Sequence, residues 1–541
     1  MTNKLVLAAA FAVVFAPQGA CGQHEPLANA ERAGLYATSI EQVLRLADDE
    51  LDVATAALIV SEQWSDLVPG RQHQAALDQM ALEILARLKE QRLAVNFRAV
   101  PVINRYLFEE LGFRSIAEAN DPNALFLHTV LDKKRGYCLS LSILYLAIGE
   151  RLGLPVYGVV VPGHFFVRYD DGRVRFNIET TSKGGNATDE HYMNKFKAPE
   201  DGHDGIYMRN LSKRQTLGCF FNNLGNSYIE VGNLDSAFLA LVRAVEINPT
   251  LAESRANLGN VYLRTGRVQQ AIDEYKAALR INPDDPKTHS NLGNAYTERG
   301  WLDYAVSEYN KAIALDPDFT DAHKNLAIVY CKHKRFAQAV SQLKQALEIA
   351  PRDAGCYSQL GDVYCQMDKY KEALSEYKKA LKLDRRLAEA YYGLGICYGK
   401  LGSVEREIES YKSALAIKPN MFTSLVNLGN VYFRQEKFGS AIELYARAIR
   451  IDPKNAMIYY NLGAACSNKG IYEQAKDAYS KAVGLDPKMG DAHYGLAFVC
   501  YQLGEYEAAW RHINVARDLG VEVDERQLAA IKSRLKQAGG R

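Results

Sequence analysis

The chain has almost no net charge: 65 lysines and arginines meet 64 aspartates and glutamates, leaving +1 over 541 residues. That balance gives no electrostatic footprint for nucleic acid, whose phosphates have to be met by clustered cations. Tryptophan is scarce, at three, against 32 tyrosines, as in a repeat that reuses tyrosine. Beyond Ala16 no apolar run reaches the length of a membrane-spanning helix, about 20 residues. The nine cysteines include no CxxC pair and no zinc spacing. His191 and His203 stand near acidic residues but at no ligand spacing, so neither a metal nor another cofactor is expected. Gly393-Leu394-Gly395 lies inside a helical pattern, the wrong setting for a nucleotide loop. With 48% hydrophobic and 24% charged residues the composition is that of a packed soluble chain, and length predicts about three or four domains.

What is present begins with a targeting segment, residues 1–22. Lys4 supplies the positive start and Leu5 to Ala16 an apolar core too short to span a bilayer. Pro17 ends it ahead of Gly19, Ala20, Cys21 and Gly22. Gln18-Gly19-Ala20-Cys21 resembles a bacterial lipobox, with Gln where Leu is usual, so Cys21 is a candidate for lipidation. Ordinary cleavage after Ala20 or Gly22 is the alternative. Either route predicts export to the bacterial periplasm or cell envelope, with membrane attachment only through a lipid on Cys21.

Three helical patterns follow between residues 36 and 117, with Asp49 or Asp52 as candidate caps. They are expected to support the stretch Arg135 to Thr181. There, residues 139–152 carry Leu139, Ile143, Leu146 and Ala147 at helical spacing, and Gly153 and Pro155 stop the helix. Cys138 then stands in the first turn, where unpaired N–H groups and the helix dipole favour a thiolate, the nucleophilic form. Val156 to Val161 is an apolar run fit for a buried strand, and Pro162-Gly163 interrupts it. His164 to Tyr169 and Arg173 to Glu179 alternate around the turn signal Asp170-Asp171-Gly172. A two-residue loop at Asp171-Gly172 pairs Asp170 with Arg173 and sets His164 opposite Glu179 on one face. A loop longer by one residue shifts the register and removes that pairing. Cys138, His164 and Glu179 thus have the order of nucleophile, base and orienting carboxylate.

These residues resemble the transglutaminase-like superfamily of papain-type cysteine enzymes, in its bacterial SirB-type branch. INRYLFEELGF (103–113), DPNALFLHTVLDKKRG (121–136) and ALIVSEQW (57–64) carry the likeness upstream, and it covers about residues 36 to 185. The resemblance implies an α+β, papain-like domain with Cys138 as nucleophile and His164 as base. Glu179 falls where the superfamily usually has Asp, and Asn177 is a rival orienter. Residues 186–215 are expected as a connecting loop.

From residue 216 to 520 the chain repeats with a period of 34: Leu224, Leu258, Leu292 and six further leucines to Leu496 keep that spacing without insertion. Alanines follow 13 residues later, with Glu407 in the one exceptional place, and again seven further on. Prolines such as Pro249, Pro283 and Pro317 close units, and Arg385 replaces one of them. The pattern resembles the tetratricopeptide repeat, two antiparallel helices per unit, in an all-α solenoid of about nine repeats. Residues 521–541 are expected as a polar capping helix. Asn223, Asn257, Asn291, Asn325, Asn427 and Asn461 recur at one groove-facing position, and Asn226, Asn260, Asn294 and Asn430 form a partial second row. Each amide carries donor and acceptor, so the row suits an extended peptide backbone without reading its sequence. The basic clamp some such repeats use for C-terminal carboxylates is not evident.

The expectation is therefore an exported two-part chain. One part carries a cysteine site of the protease, amidase or transamidase kind, and the other recruits a protein or peptide. The alternative is a non-catalytic interaction scaffold or envelope assembly factor. Oligomeric state, substrate and partner are not encoded in these patterns.

Overall fold

The structure, a computed structural model, describes residues 33–64, 70–116, 121–196 and 207–538. The expected targeting segment with Cys21 lies outside the described residues, as does His203. The chain forms two compact units, one ending at Ala295 and the other starting at Tyr296.

In the first unit come α1 (Ile40–Val43), α2 (Val53–Trp64), α3 (Gly70–Glu90), α4 (Val100–Asn104), β1 (Arg114–Ser115), α5 (Leu127–Lys133) and β2 (Arg135–Gly136), with β1 and β2 paired in parallel. Asp52 caps α2, its Oδ1 accepting the Thr55 N–H at 2.7 Å. α6 (Cys138–Arg151) is buried from Leu139 to Gly149 without interruption. A helix apolar on every side needs cover on every side, and α2, α3 and α5 pack on it along with a sheet. That sheet is antiparallel, in the order β3 (Val156–Val161), β4 (His164–Asp170), β5 (Arg175–Ile178). Pro162 and Gly163 alone join β3 to β4, with Val161 paired to His164 and Gly163 at φ +73°, a left-handed position that suits glycine.

The β4–β5 connection corrects the expected register. Asp171 to Val174 form a four-residue loop, and Asp170 pairs with Arg175, not Arg173. The Asp171 side chain sets this length, because its Oδ1 accepts the N–H groups of Arg173 and Val174 at 2.8 and 2.7 Å. The slip is by two residues, an even number, so each side chain keeps its expected face. Continued past Ile178, this register sets Glu179 opposite Phe166 and diagonal to His164, still within reach of a long side chain.

The stretch 186–215 is more than a loop. It contains α7 (Asp189–Phe196). Beyond it, Met208 N–H donates to the Val160 carbonyl at 3.1 Å and Leu211 N–H to that of Gly158 at 2.9 Å, so the chain runs along β3. With Tyr192, Met193 and Phe196 as its apolar anchors in two turns, α7 is too short to display a helical period.

The repeats begin with α8 (Lys213–Glu230), α9 (Leu234–Ile247), α10 (Ala252–Arg264), α11 (Val268–Ile281) and α12 (Pro286–Arg299). α8 is joined to the N-terminal domain by polar bonds and by core. Asp48 accepts the N–H groups of Lys213 and Arg214 at 3.2 and 2.9 Å, and Lys213 pairs with Glu150. Leu217, Phe220, Phe221 and Leu224 belong to the same hydrophobic cluster as Leu139, Ile143 and Val167. The expected boundary at 185–216 thus falls inside one core.

In the second unit helices α13 (Leu302–Leu315) to α25 (Tyr506–Asp518) continue the alternation, and Leu528 and Ile531 of α26 (Glu525–Ala538) are buried in the last cluster. Alanines 305, 339, 373, 441, 475 and 509 are fully buried, as close helix approach requires. Glu407, in the place of one of them, is also buried, and its two oxygens accept from Arg434 Nη2 at 3.0 and 3.1 Å. Gly399 makes room for it: a Cβ there would stand 2.7 Å from Glu407 Oε1.

Candidate active site

Cys138 is the first residue of α6. Tyr137 arrives extended, at φ −79° and ψ 173°, and the Ser140 hydroxyl accepts its N–H at 2.9 Å while donating to the Ala124 carbonyl at 2.9 Å. This is half of a capping box, and it starts the helix at the thiol, where N–H groups lack intrahelical acceptors. Cys138 is half-buried. Thr180, just after β5, donates to the Cys138 carbonyl at 3.4 Å and shares a hydrogen bond of 3.0 Å with Ser142. Two buried hydroxyls therefore fix the end of the sheet against the start of the helix.

His164 opens β4 directly after the Pro162-Gly163 turn. Its Nε2 bonds Glu179 Oε2 at 2.7 Å. The Cys138 side chain lies close enough to the ring to act on its titration, and with Nε2 engaged Nδ1 is the nitrogen left to face the sulfur. Phe196 stacks on the ring with centroids 4.8 Å apart and planes 2° from parallel, and Tyr192 packs 6.1 Å away. Glu179 has no idle oxygen. Oε1 accepts from Thr181 N–H and Oγ1 at 3.0 and 2.5 Å, and Oε2 accepts from Tyr192 Oη at 2.9 Å as well as from His164.

Burial opposes charge on His164, but its bonds to Cys138 and Glu179 outweigh that and raise its pKa to about 9. Burial likewise pushes Glu179 up, and the bonds from His164 and Thr181 outweigh it, so the carboxyl falls to about 2. At neutral pH an imidazolium therefore lies between a carboxylate and the Cys138 sulfur. Asn177, the rival orienter, is spent elsewhere: its Oδ1 accepts from the buried Arg168 at 2.8 Å, and its Nδ2 donates to Asp189 at 2.6 Å and to the Ala187 carbonyl at 2.9 Å. Tyr192 and Phe196 were not singled out in the sequence. The available signal was their i, i+4 spacing in HYMNKF, shortly after the acidic residue they help to fix.

A cavity of about 330 Å³ opens on Cys138 and His164. Val160, Gly163 and Phe165 line it from the sheet, and residues of α8, α10 and the start of α12 line the opposite wall. Asn223, Asn257 and Asn291, together with Asn222, Asn226 and Asn260, face this cavity. Asn257 Nδ2 donates to Asn222 Oδ1 and Asn291 Nδ2 to Asn260 Oδ1, each at 3.1 Å. Asn325, Asn427 and Asn461 lie half-buried in the second unit and are not brought to this cavity. There, Asn427 Nδ2 donates to Tyr392 Oη at 3.3 Å. Burial pushes the repeat thiols up, Cys356 to about 12 and Cys331 and Cys500 to about 11. Cys365 of α16 (Ala354–Gln366) and Cys397 of α18 (Ala388–Lys400) face each other with sulfurs 2.9 Å apart.

Comparison with known proteins agrees with this division. The family described as "Transglutaminase-like superfamily" matches residues 71–217 and so reaches into α8. The "Cilia and flagella-associated protein 70 C-terminal domain" matches 207–356, "TPR repeat" matches 361–402 and 429–470, and "Tetratricopeptide repeat" matches 388–421 and 456–489. A UPF0162 protein of Xylella fastidiosa strain Temecula1 is 28% identical over 223 residues, 39% of this chain and 77% of its own. F-box only protein 21 of Mus musculus is 32% identical over 76 residues, 14% of this chain and 12% of its own. Among solved structures, PilF of Pseudomonas aeruginosa is 20% identical, with 39% of this chain and 96% of that chain covered at a TM-score of 0.35. The chain is a transglutaminase-like domain followed by tetratricopeptide repeats.

Proposed function

We propose that the chain is a cysteine enzyme that cleaves or transfers amide bonds of a protein or peptide held by its repeats. The observation that carries this reading is the juxtaposition of Cys138 and His164 on one cavity that a substrate can enter, with Glu179 bonded to the far side of the imidazole at 2.7 Å. The Cys138 sulfur attacks the amide carbonyl carbon, and N–H groups of the first turn of α6 meet the oxygen that becomes negative. His164 gives its proton to the departing amine, leaving a thioester on Cys138. Water or a second amine then attacks the thioester, His164 takes its proton, and Cys138 leaves as the thiolate that began the cycle. Glu179 keeps the imidazole in place and charged before the first transfer.

The test is selective alkylation. Under native conditions iodoacetamide should modify Cys138 at least about tenfold faster than Cys331, Cys356 or Cys500, whose thiols burial holds protonated. The fast phase should vanish in Cys138→Ser. Equal rates at all four cysteines defeat the proposal and leave a non-catalytic interaction module, the general role of such repeats. Export, and attachment through Cys21, remain part of the proposal. Fractionation of a Cys21→Ala variant tests the anchor: an unchanged membrane fraction rules it out.

A further inference from the structure

The cavity wall made by the repeats contains a group that the proposed chemistry does not use. Glu253, near the start of α10, accepts a hydrogen bond from Tyr207 through Oε1. Its Oε2 is shut off from solvent and has no partner among the described residues. Asp285 is close enough for its charge to act on Glu253. Both Asp285 oxygens are engaged at the start of α12, Oδ2 with Thr288 N–H at 3.1 Å and Oδ1 with Lys287 N–H at 3.3 Å. Among the described residues Lys287 supplies the only lysine or arginine of the lining and is itself exposed, while the charge of His164 is already met by Glu179. This end of the cavity therefore carries acid without a buried cation. A desolvated carboxylate oxygen left unpaired is costly, and a charged donor is its best complement.

We propose that the first repeats build the specificity pocket of the enzyme, and that it takes a cationic side chain, lysine or arginine, of an extended peptide, with the head group at the Glu253 carboxylate beside Asp285 and the peptide amides on the Asn223–Asn257–Asn291 row. The cationic residue is the one that supplies the attacked carbonyl, because Cys138 and Glu253 line a single cavity of about 330 Å³. The inference rests on the cysteine-enzyme reading above. It adds a selectivity that the triad alone does not confer. Burial first, and then the charge of Asp285, push Glu253 up. An incoming ammonium or guanidinium works in the opposite sense and stabilises the carboxylate.

The test uses four acetylated tripeptidyl acyloxymethyl ketones that differ only in the last side chain: lysine, norleucine, glutamine or glutamate. The Cys138 thiolate forms a carbon–sulfur bond at the ketone methylene, the carbon–oxygen bond there breaks, and a carboxylate leaves. Alkylation of Cys138 in the full chain should be at least about tenfold faster with the lysine probe than with norleucine, the size expected of a charge-assisted hydrogen bond. Glu253→Gln, which keeps an acceptor for Tyr207, should bring that ratio near one, and Asp285→Asn, which keeps the cap of α12, should reduce it. The iodoacetamide rate at Cys138 should stay unchanged in both variants, since that reagent needs no pocket and reports a folded site. A lysine probe no faster than norleucine, or a glutamine probe as fast as lysine, overturns the cationic pocket while fast iodoacetamide alkylation preserves the enzyme reading. A lysine preference that survives Glu253→Gln overturns the assignment to Glu253. If neither reagent favours Cys138 over the repeat cysteines, the enzyme reading fails and the pocket fails with it.

Discussion

Replacing Glu179 with glutamine leaves the shape of the side chain nearly unchanged and removes its charge. In the intact site Cys138 and Glu179 both hold a proton on His164 against the cost of burial, and the Glu179 carboxylate bonds Nε2 at 2.7 Å. An opposite charge at such range moves a titration by one to about three units. The His164 midpoint, about 9 in the intact protein, should therefore fall by about one unit or more in Glu179→Gln, each unit corresponding to about 1.4 kcal/mol. The same change has a signature in stability. His164 titrates higher folded than unfolded, so its contribution is complete below about pH 6.5 and is lost as pH rises through about 9. Glu179 titrates lower folded than unfolded, so its contribution is present above its usual 4.5 and is lost as pH falls through about 2. Between these limits, from about pH 4.5 to 6.5, both contributions are complete, and Glu179→Gln should cost most there. Above about pH 9 the gap between variant and parent should narrow to the part that Thr181 and Tyr192 hold on the Glu179 carboxylate, since the charge of His164 is then gone. Histidine-selective NMR titration reads the midpoint directly, with the His164 signal assigned by its absence in His164→Gln, and denaturant unfolding at a series of pH values reads the cost. A His164 that still titrates near 9 in Glu179→Gln would refute the claim that this carboxylate holds the imidazolium.

Three further outcomes are expected. Tyr192→Phe removes one hydrogen bond to the Glu179 carboxylate but keeps the ring stack, so it should destabilise by about 1–2 kcal/mol and slow Cys138 alkylation by less than about tenfold; parental rates and stability would break the tie between α7 and the triad. A chain stopped at residue 212 removes Leu217, Phe220 and Phe221 from the shared core and should aggregate, whereas one stopped at Arg299 should give the sharp near-ultraviolet circular dichroism of a packed protein; a folded chain of 212 residues would show that the first repeat is dispensable. Cystamine should convert Cys365 and Cys397, with sulfurs 2.9 Å apart, to an intrachain disulfide. The pair loses two hydrogens and the reagent leaves as two thiols, with no mixed adduct on the Cys365 or Cys397 peptide; a stable adduct on Cys365 would show that the sulfurs do not meet.

Different parts of this architecture were legible in the sequence to different degrees, and the reasons are physical. The repeat was plain because nine copies of one 34-residue period expose every departure. Even Glu407, which reads as an error in the alanine row, turns out to be matched by Arg434 and by the space over Gly399. The pairing of His164 with Glu179 was legible only as a shared face. Face depends on parity, which the sequence displays, whereas register depends on loop length, which here was decided by two bonds to the Asp171 side chain. The flat stack of Phe196 on His164 had no periodic signal, since α7 has only eight residues.

The missed junction at α8 follows from reading the repeat too strictly. α8 has 18 residues where α10 has 13, and the surplus is at its start, upstream of the repeat period. That extension carries Leu217 into the N-terminal core. A helix with one apolar stripe docks on one neighbour, and a helix apolar on two sides is claimed by two. α8 is of the second kind: Leu224 keeps the repeat position, and Phe220 and Phe221 are both fully buried. Because the same helix presents Asn222, Asn223 and Asn226 to the cavity that Cys138 lines, the amide row begins at the proposed nucleophile. A peptide lying along those amides would be delivered to the thiol by the geometry of a single core, with no flexible tether between recruitment and chemistry.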